Sequence, residues 1–226
     1  MGLSFIFLFG LIAACDSSAA KTETLERTEE VSFSVPPVSD KPKIVAFGDS
    51  LTAGFGVSEK ESYPYLLQQK LKAEDFDYEV INAGVSGDTS TGGLDRIDWS
   101  LEQENVQILI LELGANDMLR GLSAAQMKRN LNEIIKKAKA KNVEVLLCGL
   151  FPPNPFVPRA QNEFALAFRD LAKEMDVAFL SFFLQGVGGM RNLNQPDGIH
   201  PNAAGTKIVA DNVYKALRPL LKKQAA

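Results

Sequence analysis

Beyond residue 42 the chain alternates between two hydrophobic rhythms. Brief runs at 44–47, 78–82, 108–113, 143–149 and 177–181 are rich in Val, Ile, Leu or Phe. Strands covered on both faces have this composition. Between them, apolar side chains recur at helical spacing over about 63–72, 124–141, 161–174 and 203–217. The segment 124–141 is the clearest. Ser123 and Gln126 have capping-box spacing, and Met127, Leu131, Ile134, Ile135 and Ala138 form one stripe. Short strands alternating with helices predict a three-layer α/β/α sandwich around a mostly parallel five-stranded sheet, flavodoxin-like in class.

The first 41 residues follow neither rhythm. Leu3 to Ala14 is an apolar run broken only by Ser4. It is shorter than the roughly 20 residues needed to span a bilayer, and it has the length of a signal-peptide core. Ile12-Ala13-Ala14-Cys15 resembles the lipobox of bacterial lipoproteins, in which the cysteine is acylated. No basic residue precedes the run, which leaves room for a start further upstream. Residues 16–41 lack apolar periodicity and contain Pro36-Pro37. They predict a disordered acidic tether. The expected organisation is a signal segment over 1–15, a tether over 16–41 and one domain over 42–226. With Cys15 acylated, the protein would be held by a lipid anchor at the bacterial cell envelope, facing the periplasm or the exterior.

Charge and cysteine content narrow the picture further. Six acidic and two basic side chains in residues 16–40 account for the whole formal net charge of −4, so the remainder is about neutral. Nothing there resembles a surface built for nucleic acid, and no protein partner is implied. Of the two cysteines, Cys15 lies in the leader and Cys148 ends an apolar strand, so they are not expected to pair. With one histidine in the chain, a structural zinc site is not expected.

The chemistry-bearing residues follow the strands. The first strand runs into Gly48-Asp49-Ser50-Leu51, and in open α/β sheets ligands bind beyond the strands' carboxyl ends. Ser50 therefore stands where a nucleophile belongs, although a serine there is also an ordinary helix cap. A serine nucleophile needs a base. The single histidine lies in Asp197-Gly198-Ile199-His200-Pro201-Asn202, with an aspartate three residues ahead that can fold back on the imidazole. A lone histidine is by default a surface or core residue. Two small-residue loops, 82–90 and 114–117, end the second and third strands. Gly87 can present a backbone N–H closely and Asn116 can offer its amide, the donors an oxyanion requires, while ordinary turns have the same composition. The 48–56 segment lacks the P-loop lysine and no G-x-G-x-x-G follows the first strand, which argues against nucleotide binding.

Together these blocks resemble the SGNH, or GDSL, hydrolase family, named for a serine, glycine, asparagine and histidine that occur here in order as Ser50, Gly87, Asn116 and His200. The likeness extends over residues 43–221. It is strongest to the group of multifunctional acyl-CoA thioesterases I, lysophospholipases and arylesterases, through Ser86-Gly87-Asp88-Thr89-Ser90, Leu111-Glu112-Leu113-Gly114, Leu119-Arg120-Gly121 and the block around His200. One departure is Ala115, where that group has glycine. The resemblance implies a serine ester hydrolase with Ser50, His200 and Asp197 as triad. It also implies an oxyanion hole from the N–H groups of Ser50 and Gly87 and the Asn116 amide, with no cofactor or metal. Small aryl or acyl esters and thioesters, lysophospholipids included, are the implied substrates. Segments 118–122, 151–156 and 182–184 supply candidate apolar lining, with Phe182 and Phe183 equally readable as core. A carbohydrate deacetylase of the same fold and a catalytically silent lipid- or glycan-binding lipoprotein are the rival readings.

Overall fold

In the computed structural model, side chains along β1 (Lys43–Gly48) alternate between two separate cores. Ile44 and Ala46 face one, and Val45 and Phe47 face the other, all four fully buried. This is the period-two geometry of a central strand with helices on both sides. The structure describes residues 40–152, 154, 156 and 158–223. Cys15 and nearly all of the tether lie outside the described residues. Its last two residues, Asp40 and Lys41, lie within them, and Asp40 O accepts from Asn105 Nδ2 at 2.7 Å.

The remaining strands are β2 (Glu79–Gly84), β3 (Val106–Glu112), β4 (Glu144–Cys148) and β5 (Ala178–Leu180). They pair in the order β2-β1-β3-β4-β5, all parallel. The expected sheet is present, in flavodoxin-like order. Gly48 stands level with Gly84 on one side and with Glu112 on the other, so three carboxyl ends finish together.

Helices α1 (Ser50–Ala53), α2 (Tyr63–Ala73), α3 (Ser90–Leu101), α4 (Ala115–Leu119), α5 (Ala124–Ala140), α6 (Arg159–Met175) and α7 (Ala203–Leu217) complete the sandwich. One core packs α3, α5 and α6 against Val45, Phe47, Leu109, Leu111 and Leu147, and the other packs α2 and α7 against Ile44, Ile108, Ile110 and Leu146. Every member of the predicted α5 stripe is fully buried. Each such Leu or Ile contributes roughly 1.5–3 kcal/mol from burial. The capping box is only half formed. Ser123 Oγ accepts from Gln126 N at 3.1 Å, but the Gln126 side chain turns away to donate to Asn130 Oδ1 at 3.0 Å.

Helix α3 has no counterpart among the predicted elements. Ser90 opens it instead of closing a loop, with Thr89 as its cap. Residues 115–117 likewise begin α4. Cys148 is buried in β4 as expected, and burial pushes its thiol up.

Candidate active site

Gly48 decides where Ser50 goes. A β-carbon at this position would lie 2.1 Å from Thr52 Oγ1 and 2.5 Å from Glu112 O, so only glycine lets the first turn of α1 fold this tightly against β3. Its backbone is not in the left-handed region, and close approach, not a sharp turn, explains the glycine. The helix cap is Asp49, whose Oδ1 accepts from Leu51 N at 3.0 Å, which leaves the Ser50 hydroxyl free of that duty.

Ser50 Oγ lies 2.9 Å from His200 Nε2, and His200 Nδ1 lies 2.8 Å from Asp197 Oδ2. The other carboxylate oxygen accepts from the backbone N–H of Ile199 and His200 at 3.0 Å each. The His200 hydrogen bond, followed by these two, holds the Asp197 carboxyl down to about 2. An ionised carboxylate can only accept, so the imidazole proton resides on Nδ1 and Nε2 is left to accept from the serine hydroxyl. Asn202 fixes the same loop by accepting from Ala204 N and Gly205 N at the start of α7 while donating to Asn192 O.

Gly87 has φ +81°, and a β-carbon there would meet only Arg120 Nη2 at 3.4 Å, so conformation, not space, calls for glycine. Arg120 donates to Gly87 O at 2.6 Å. Among the described residues, no protein acceptor takes the backbone N–H of Ser50 or of Gly87. The Asn116 amide is differently placed, since Nδ2 donates both to Asp49 Oδ2 at 3.0 Å and to Asp88 O at 2.9 Å. Its neighbour Asp117, fully buried, accepts from Ser90 N at 2.7 Å. The two bonds tie the Gly87 loop to α4.

Three groups escaped the sequence reading. Asp49 is buried beside Glu112. Burial pushes its carboxyl up to about 6 despite the Leu51 N–H bond. Burial, with Asp49 adding to it, holds the Glu112 carboxyl well above the usual range. Glu112 Oε2 accepts from Thr52 Oγ1 at 2.8 Å, and its Oε1 has no partner among the described residues. Arg96 from α3 donates to Asp88 Oδ2, Ala83 O and Gly48 O at 2.7, 2.8 and 3.0 Å, lies 3.8 Å from the Phe47 ring, and so fastens the ends of β1 and β2. Asp49 and Glu112 had a sequence signal, their places in Gly48-Asp49-Ser50-Leu51 and Leu111-Glu112-Leu113-Gly114, and Arg96 had none.

Ser50, Gly87, Asn116 and His200 line one cleft of about 550 Å³ with Met118, Leu119, Phe151, Phe182, Phe183 and Leu184. Of Phe182 and Phe183, the latter is fully buried and packs in the core, while the former is half-buried. Among the described residues, no cluster of three or more His, Cys, Asp or Glu side chains is disposed to hold a metal ion.

Comparison with known proteins identifies the family. Residues 46–208 match the GDSL-like lipase/acylhydrolase family. Esterase TesA of Pseudomonas aeruginosa is 40% identical over 178 residues, 79% of this chain and 89% of its own length. Thioesterase 1/protease 1/lysophospholipase L1 of Escherichia coli K12 is 38% identical over 178 residues, 79% of this chain and 84% of its own. A crystal structure of the psychrotrophic esterase EstA from Pseudoalteromonas sp., inhibited by monoethylphosphonate, superposes with TM-score 0.73 at 35% identity, covering 79% of this chain and 98% of that one. The chain belongs to the GDSL-like lipase/acylhydrolase family and is a carboxylic ester hydrolase.

Proposed function

We propose that this hydrolase works through Ser50 as nucleophile, His200 as general base and Asp197 as the group that orients the imidazole. The observation that carries the reading is the unbroken chain of bonds from Asp197 through His200 to Ser50 at the wall of an apolar cleft. As Ser50 Oγ attacks an ester or thioester carbonyl, Nε2 takes its proton. The carbonyl oxygen, now negative, is received by the N–H groups of Ser50 and Gly87. Asn116 turns one amide hydrogen from Asp49 or Asp88 to join them. His200 then protonates the leaving alcohol or thiol, and an acyl group stays on Ser50. Water, deprotonated by His200, repeats the attack and releases the acid.

The cleft favours acyl chains and aryl groups over sugars. Phe55, Leu119 and Ile199 line it while more than half exposed, a costly arrangement unless apolar ligand covers them. Lysophospholipids and acyl-CoA thioesters join that substrate class in our reading, supported by the name of the Escherichia coli relative. Parallel rate measurements on p-nitrophenyl esters, acyl-CoA, lysophosphatidylcholine and acetylated xylan test it. We expect turnover of the first three and little of the xylan. Turnover confined to acetylated xylan would overturn the substrate assignment in favour of a deacetylase.

A further inference from the structure

Ser50 and His200 are 150 residues apart in sequence, and the 2.9 Å bond between them requires two loops to be held still. Among the described residues, one other hydrogen bond joins segment 49–57 to segment 194–201. Gln195 Nε2 donates to Phe55 O at 2.7 Å. The same nitrogen donates to Pro201 O, next to His200, at 3.0 Å. One amide thus spends its two hydrogens on the two loops that carry nucleophile and base.

The surroundings are built around this side chain. Gln195 N donates to His200 O at 2.8 Å, fixing its own backbone to the histidine. The Phe55 ring rests against the imidazole, with centroids 4.7 Å apart and planes at 42°. At Gly56, φ is +73° and a β-carbon would fall 2.0 Å from Gln195 Oε1, so any other residue there would be strained and would displace the Gln195 amide.

We propose that Gln195 is a positioning residue that sets the Ser50–His200 distance by clamping the Phe55 and Pro201 carbonyls. The inference rests on the catalytic roles proposed above for Ser50 and His200. Carbonyl oxygens only accept, so the clamp must supply two N–H groups from one centre. Glutamate is acceptor-only and would face both carbonyls with a negative charge. Methionine has nearly the same length and leaves both carbonyls unpaired.

The test uses the full chain and a p-nitrophenyl ester, with Gln195→Glu, Gln195→Met, His200→Ala, Ser50→Ala and the two Gln195/His200 double variants. Both Gln195 variants should melt close to the wild type. Their kcat should fall on the order of 10–100-fold, as misaimed catalytic groups cause, with KM changed less than about threefold. Beside His200→Ala, either substitution should cost less than about twofold, because an aiming residue has nothing left to aim. The proposal is overturned by a kcat above about half the wild-type value, by a loss that persists undiminished beside His200→Ala, or by failure of both variants to fold. A fully active Ser50→Ala variant would instead sink the catalytic reading, and this inference with it. An inactive Ser50→Ala beside unimpaired Gln195 variants would sink the inference alone.

Discussion

An amide has two hydrogens to give, and at Asn116 both are already given, to Asp49 and to Asp88. The residue therefore aligns two loops in the resting enzyme and, in our reading, receives the oxyanion in the working one. Asn116→Ala should lower kcat by about 10²–10³-fold with KM little changed, the usual effect of losing one oxyanion donor. Steady-state kinetics on an aryl ester measures this, and a change confined to KM would make Asn116 a substrate-binding residue instead. Residues of this kind were legible in the sequence. Ser50, Gly87 and Asn116 stand just beyond β1, β2 and β3, and Asp197 and His200 just before α7, each within a short motif that the sequence displays. Arg96 and Gln195 were not legible, because most of their partners are backbone carbonyls, which every sequence supplies at every position.

At the level of elements, hydrophobic period fixed the strands and the long helices to within two residues at their ends, and α7 fell on its expected bounds. Helix α3 was missed for a physical reason. Gly92-Gly93 lowers its intrinsic propensity and reads as a loop. Both glycines are required by crowding. A β-carbon at Gly93 would lie 2.2 Å from Leu113 Cδ1, and one at Gly92 would lie 2.0 Å from Asp88 Oδ1. Tertiary packing overrides propensity here and brings Arg96 onto the strand ends. Arg96→Leu would leave the Gly48 and Ala83 carbonyls and the Asp88 carboxylate without this donor. We expect a loss of about 2–4 kcal/mol, the range for breaking a part-buried charged network. Denaturant titration at pH 7 measures it. A midpoint unchanged from the wild type would mean that Arg96 does not hold the ends of β1 and β2 together.

For the molecule as a whole, two groups of carboxyls pull stability in opposite directions with pH. Asp197 is held below its ordinary value, so its contribution is present above about pH 4 and is lost as pH falls through about 2. Asp49 is pushed up to about 6 by burial, so its contribution is complete below about pH 4 and is lost as pH rises through 6. Holding this carboxyl at about 6 instead of its ordinary value corresponds to about 3 kcal/mol, and sharing of that effect with Glu112 leaves about 1–3 kcal/mol. Unfolding free energy measured from pH 4 to 8 should decline by that amount in the wild type. The decline should be shallower in Glu112→Gln, where Asp49 titrates without Glu112 beside it. Equal slopes in the two proteins would show that the carboxyls do not act as a pair.

In our reading the fold and the apolar cleft serve to make the Ser50 hydroxyl nucleophilic, and that can be measured directly. The full chain treated with a fluorophosphonate, which captures only an activated serine, should gain one adduct, located by peptide mass spectrometry on Ser50. Ser50→Ala should gain none and should lose about 10⁴-fold or more in ester hydrolysis while melting like the wild type. An adduct on another residue, or a Ser50→Ala variant retaining more than about a tenth of wild-type turnover, would contradict the account.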